Sequence, residues 1–325
     1  MPTLSPAPSV RLPCRPISFG RQLATMPVRA RYRLALTVLA FFTSYTGHAF
    51  AGALEDGETA AMSGECAKAV VLLRPFADNG LAAAQTHMGD CYEGGIGFPH
   101  DSVEAAKWYR KAAYQGIAEA QYALGILLLG REGVTEDYAE AAFWLGRAAT
   151  QGEPAAQAAL GGLYVLGDGV PEDYTKAANW LLKAALQGIA SAQEQLGRLY
   201  VRGDGTTQDV TMGLFWFRRA ANQGDTSAQT DLALAYELGI GIKQDFIKAH
   251  MWYNLAGAAD RGYASDNAVA GKARAARDRL EIKMTPEQIA EAQKRARDWT
   301  PRSCGLDGNG VYPECHAPGV SDLEH

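Results

Sequence analysis

At 325 residues the chain could hold one or two ordinary globular domains, yet 35 Gly against 14 Pro, abundant alanine and few β-branched runs suit many short helices joined by glycine turns. The formal charge is −5, and the first 51 residues carry six Arg and no acid, so the chain without them holds 25 basic against 36 acidic residues, a net −11. A surface that acidic repels phosphate backbones and argues against nucleic acid or anionic lipid as partners.

Residues 1–51 read as a signal peptide. Arg29, Arg31 and Arg33 form a basic n-region, Leu34 to Phe42 is an uncharged apolar run, and Ala49-Phe50-Ala51 fits a small-x-small cleavage site before Gly52. Met26 is an alternative true start, because residues 26–51 alone make a well-proportioned signal. An uncleaved anchor is the other reading, but the run falls well short of the roughly 20 apolar residues that span a bilayer. The expected location is periplasmic or secreted, with no stable membrane span after cleavage. Residues 52–80 read as an N-terminal capping segment and half repeat, in which 66–78 is a lone second helix with Leu72 in the position that tryptophan takes later.

Residues 81–260 read as five repeats of 36 residues. Trp108, Trp144, Trp180, Trp216 and Trp252 each follow the last by 36. The same step carries Gln85, Gln121, Gln157, Gln193 and Gln229, a glycine from Gly97 to Gly241, and an aspartate from Asp101 to Asp245. Each copy resolves into two helices. Helix A covers 82–93 in the first, with Ala84, Met88 and Tyr92 on one face. A glycine turn follows, and helix B starts at the recurrent Asp as N-cap. Asp101 with Glu104 and Asp137 with Glu140 predict capping boxes. Lys111, Arg147, Lys183 and Arg219 fall in the last turns of helix B, where a cation suits the helix dipole. Paired alanines such as Ala105-Ala106 allow close approach, and the tryptophan is expected between neighbouring hairpins. The recurrent Gln is read as structural, tying adjacent loops together.

Residues 261–299 read as C-terminal capping helices. Asn267 to Glu281 is the first, and Thr285-Pro286-Glu287-Gln288 opens the second with N-cap, proline at N1 and capping-box residue. Ile289, Ala292, Ala296 and Trp299 share a face that would close the last hairpin. Residues 300–325 read as an irregular tail.

The pattern Ala192, Leu196-Gly197, Tyr200, Gly203, Gly205, Asp209 and Trp216 is similar to the Sel1-like repeat, a relative of the tetratricopeptide repeats. The resemblance covers 81–260. It implies an all-α fold, an α-solenoid of stacked helix-turn-helix repeats closed by terminal capping helices. Departures occur: repeat two has Leu-Leu-Gly-Arg-Glu-Gly at 128–133, repeat four has Met212-Gly213-Leu214 where others have alanines, and repeat five has Ala233 for the helix A glycine.

Catalytic motifs are missing from the sequence: no Gly-x-Ser-x-Gly, His-Glu-x-x-His, Walker loop, Cys-x-x-Cys or Ser-x-x-Lys. The expectation is a non-enzyme with no cofactor and no metal. His87 and Cys91 at i, i+4 with Cys66 admit a metal reading that lacks a fourth ligand. The favoured reading is a Cys66–Cys91 disulfide, since the hairpin turns near Gly80 and an even cysteine count in an exported chain suits bridges. Cys304 and Cys315 bracket a short loop and form the second candidate pair; Asp307-Gly308-Asn309-Gly310 within it hints at calcium, but Val311 and Tyr312 break the EF-hand pattern.

In tetratricopeptide-like stacks helix A lines the concave surface, which implies a partner groove. Its outward positions are Thr86, His87 and Asp90, then Tyr122, Ala123 and Ile126, then Ala158, Ala159 and Gly162. The series ends on Glu194, Gln195 and Arg198, followed by Thr230, Asp231 and Leu234. The family resemblance implies a scaffold or adaptor holding a protein or extended peptide there, with a regulatory role in the cell envelope. A polysaccharide- or peptidoglycan-associated binding module is the alternative, and an envelope hydrolase is disfavoured by the lack of a nucleophile–base pair.

Overall fold

The computed structural model describes residues 52–94, 98–130, 133–258 and 264–301. The proposed signal segment, Cys304, Cys315 and the tail beyond 301 lie outside these residues. Among the described residues every regular element is a helix: α1 (52–62), α2 (Cys66–Asp78), α3 (Ala82–Gly94), α4 (Ser102–Tyr114), α5 (Ala118–Leu128), α6 (Tyr138–Thr150) and α7 (Pro154–Leu166). Then come α8 (Tyr174–Leu186), α9 (Ala190–Arg202), α10 (Val210–Asn222), α11 (Thr226–Leu238), α12 (Phe246–Ala258), α13 (Ala264–Glu281) and α14 (Pro286–Asp298). From α3 to α12 odd-numbered helices are A helices and even-numbered ones are B helices. Each packs on its sequence neighbours, which is the solenoid expected of the repeats.

The hairpin is set by three sequence signals. Asp101, Asp137, Asp173, Asp209 and Asp245 each accept a hydrogen bond from the backbone N–H three residues on, at 2.8–3.0 Å. The backbone N–H of the same aspartates donates to the end of the preceding A helix, as Asp173 does to Tyr164 O at 3.0 Å. The capping boxes predicted at Glu104 and Glu140 do not form. The N–H they would receive is already used in closing the turn, and Glu104 goes to Lys107 while Glu140 goes to Arg110 and Trp144. Thr285–Gln288 does form the reciprocal box.

Glycine marks two close approaches. Gly169 has φ +70°, and a Cβ there would lie 2.1 Å from Tyr138 O, so this turn rests on the start of the preceding repeat's B helix. Gly161, inside α7, faces Leu181 of α8; an added Cβ would sit 2.7 Å from Leu181 Cγ. Gly89 with Tyr109, Gly125 with Leu145 and Gly197 with Phe217 repeat that contact.

A ladder of glutamines joins the hairpins. Gln85, Gln121, Gln157, Gln193 and Gln229, all buried, donate through Nε2 to the carbonyls of Ala77, Ala113, Ala149, Ala185 and Ala221 near the end of the previous B helix. The Oε1 atoms of the first four accept from Gln115, Gln151, Gln187 and Gln223 at 2.8 Å. The structural role expected for the recurrent glutamine is the one observed.

Tryptophans fill the seams between successive B helices, each packed against residues of the repeat before it. Trp108, Trp144, Trp216 and Trp252 are at most 7% exposed, whereas Trp180 is only half-buried. Tyr114 meets the Trp144 ring edge-on at 5.1 Å. Asp78, Thr150, Leu186 and Asn222, 30 residues before the other tryptophans, bring no ring there. Two last-turn cations lie close over these rings, with Lys111 Nζ 3.6 Å from the Trp108 centroid and Lys183 Nζ 4.1 Å from that of Trp180, whereas Arg147 lies over Phe143.

At the C-terminal end Trp299 stacks edge-on against Trp252 at 6.0 Å, and Ala292 and Ala296 are buried. His250, fully buried on α12, bonds through Nε2 to Glu281 of α13 at 2.8 Å. Removing Trp144, 1% exposed and hydrogen-bonded to Glu140, is expected to cost about 3–5 kcal/mol, and removing Trp180 distinctly less. Urea melts of Trp144→Ala and Trp180→Ala check this, and equal losses would contradict the seam model.

Candidate functional site

The outward face of the A helices is narrower in open polar groups than their sequence implies. Thr86 is buried and donates back to Ala82 O at 3.0 Å on its own helix. Asp90 is held by Tyr109, whose single hydroxyl proton is shared between Asp90 at 2.8 Å and Glu93 at 3.0 Å, and by a 3.3 Å contact with His87 Nδ1. That contact raises the His87 pKa, and burial, followed by the two carboxylates, raises that of Tyr109. Tyr122 and Ile126 are half-buried and pack on the cluster around Leu145 and Leu160. Ala158 is buried, while Ala159, Gly162 and Gln195 are half-buried along the middle of the face. A Cβ at Gly162 would meet only Gln195 Oε1, at 3.6 Å.

Charges converge between α9 and α11. Arg198 Nε bonds to Asp231 Oδ2 at 2.9 Å across the repeat boundary and touches Glu194 one turn back on its own helix. Glu194 is 6% exposed, and its Oε1 finds no aligned donor, so it is a buried carboxyl and not the open groove residue expected. Burial pushes its pKa up to about 7, against the pull of Arg198 and with the help of Asp225 and Asp231. Thr230 bonds to Thr226 O at 2.8 Å, and Leu234 is exposed beside Asp231.

Next to this cluster lies a pocket of about 350 Å³ that reading the A helices alone misses. Its apolar wall is Val201, Val210, Leu214, Phe217, Leu234 and Ile240, and Arg198, Arg202 and Asp231 edge it. The available signal was the irregularity of repeats four and five. Val210 stands where Tyr138, Tyr174 and Phe246 stand in other copies, Leu214 replaces Ala106, Ala142 and Ala178, and Ile240 replaces Asp168 and Asp204.

Cys66 of α2 and Cys91 of α3 are both buried and both thiols, and their side chains interact directly. Burial, then that contact, pushes the Cys91 thiol up, which makes it a poor nucleophile. Among the described residues no group of three His, Cys, Asp or Glu is placed to hold a metal ion, and no helix is long and apolar enough to cross a membrane.

A family model, the Sel1 repeat, matches residues 82–117, 118–153, 154–189, 190–225 and 226–260. A Sel1 repeat protein from Oxalobacter formigenes is similar, with 28% identity, TM-score 0.63, and coverage of 75% of this chain and 96% of that one. So is a protective antigen of uropathogenic Escherichia coli with an SLR fold, at 31% identity and TM-score 0.64, covering 71% of this chain and 48% of its own. This chain thus spans about half the length of that antigen. No match is found among curated proteins.

Glu194 gives a testable pH dependence. With its folded pKa above the usual carboxylate value, its contribution to stability is complete below about pH 4.5 and is lost as pH rises through about 7. The loss should amount to about 2–3 kcal/mol. In urea melts Glu194→Gln should match the natural protein near pH 4.5 and exceed it at pH 8. Parallel stability curves would contradict the burial argument.

Proposed function

This chain belongs to the Sel1 repeat family, whose members are typically protein-interaction scaffolds, and from that premise we propose that it is an exported, non-catalytic adaptor. It holds a protein or extended peptide along the concave face lined by α3, α5, α7, α9 and α11. The observation that carries this is the split between fixed and varied positions. The glutamines, glycines and tryptophans that join repeats hold their register, while the outward A-helix residues run from His87 through Ala159 and Gly162 to Gln195, Thr230 and Leu234. Small side chains in the middle leave room for a strand of partner backbone.

The glycan-binding alternative needs rings on that face. Tyr122, the ring among the outward positions, is half-buried in packing, whereas exposed Tyr114, Phe143 and Phe215 belong to B helices. Protein is therefore the favoured ligand. Export, and with it a periplasmic or secreted location, rests on segment 1–51.

In an oxidising compartment the Cys66–Cys91 thiols would pass two electrons to a disulfide donor and close a bridge between α2 and α3. Such a bridge stabilises the N-terminal end by about 3 kcal/mol. Peptide mapping of the exported protein without reductant should recover the linked pair; two free thiols would refute it.

The groove itself is tested at Gly162. Its backbone is helical and its surroundings open, so Gly162→Arg places a bulky side chain on the face without strain. Affinity capture from the envelope fraction should recover a protein with the natural chain and lose it with Gly162→Arg at unchanged melting temperature. Recovery of glycan without protein, or capture indifferent to the substitution, would overturn the reading.

A further inference from the structure

The seam between repeats four and five carries residues that stacking does not ask for. Repeats two, three and five open the B helix with Tyr138, Tyr174 and Phe246 and repeat one with Ser102; at α10 the residue is Val210, shorter than those rings, and it lines the pocket. Leu214 adds apolar wall where repeats one to three place alanine, and Ile240 does so where repeats three and four place aspartate. Arg202 occupies the register of Leu166 and Leu238, is exposed, and makes no ion pair among the described residues. Arg198 is already shared by Glu194 and Asp231, so Arg202 is the cation left at the rim. A greasy cavity beside an unspent guanidinium is complementary to an apolar group that carries a negative charge close by.

Spacing narrows the occupant. Val201 and Arg202 are consecutive on α9 and both line the pocket, so the cation stands directly beside the cavity wall. In an extended peptide successive side chains point to opposite faces, so an acidic residue next to the apolar one would face away from Arg202. At a chain terminus the carboxylate and the last side chain leave the same Cα. We propose that this pocket binds the C-terminal residue of a partner protein, its bulky apolar side chain inserted against Leu214 and Phe217 and its α-carboxylate paired with Arg202. The inference rests on the reading of the protein as a peptide-binding adaptor and names the chemistry of the partner's end.

Fluorescence anisotropy of the full chain with a fluorescein-labelled hexapeptide ending in Ala-Phe supplies the test. The free acid should bind saturably, and the C-terminal amide and a peptide ending in Ala-Ala should each bind about tenfold more weakly. Arg202→Ala should lower affinity for the acid to the level of the amide. Val210→Tyr, which restores the residue of the second and third repeats, should abolish binding while leaving the melting temperature intact. Equal binding of acid and amide, an unaffected Val210→Tyr, or no saturable binding to the acid would overturn the proposal. Loss of partner capture in Gly162→Arg alongside such a failure would leave the wider adaptor reading standing; failure of both would remove both.

Discussion

The glutamine ladder is the constraint from which the rest of the stack follows. Each rung places a fully buried amide between repeats, where an unmet hydrogen-bond group would cost about 1–3 kcal/mol. In the first four rungs the amide is satisfied only when its Nε2 reaches the carbonyl at the end of the previous B helix and its Oε1 receives the glutamine 30 residues further on. Those two demands fix both the distance and the rotation of one hairpin against the next. Apolar packing alone would tolerate sliding; directed hydrogen bonds inside a low-dielectric seam do not. Alanine-rich faces, the glycines under Tyr109, Leu145, Leu181 and Phe217, and the tryptophans in the B seams then fill the space that this register leaves.

Because every rung lies between nearest neighbours, the solenoid is a line of local agreements. Its ends need separate treatment. At the C-terminal end Trp299 lies against Trp252, and His250, Arg274 and Arg277 join α12 to α13. At the other end Ala60 and Leu73 bury against Met88 and Trp108. The N-terminal end also carries Tyr109 bonded to Asp90 and Glu93 and the buried Cys66 and Cys91 thiols.

The sequence reveals this architecture well because the same side chains meet the same neighbours five times. An aspartate cap, a seam tryptophan and a rung glutamine each leave a periodic trace at 36 residues. What periodicity hides is what differs between copies. The half-exposure of Trp180 leaves no mark in the 36-residue register, and the missing capping boxes depend on who else claims Glu104 and Glu140. Glu194 reads as an outward charge from its helix position, yet Arg198 and the next repeat close over it. The pocket is harder still to see, since its wall is drawn from α9, α10, α11 and a turn, and each contributor looks like a tolerated exception when read alone.

The ladder's spacing also bears on how such a chain can change length. Every inter-repeat contact described here joins positions separated by a constant interval within one period. Excising or duplicating any full 36-residue window, wherever it begins, therefore returns an unbroken set of rungs, whereas gaining or losing a single residue inside a helix breaks every contact at that joint. Growth by whole units is thus physically cheap, and it is selective in what it copies. A duplication confined to repeats two and three would lengthen the face without adding a second cavity, because the cavity belongs to one junction, the one that begins with Val210 and ends with Ile240.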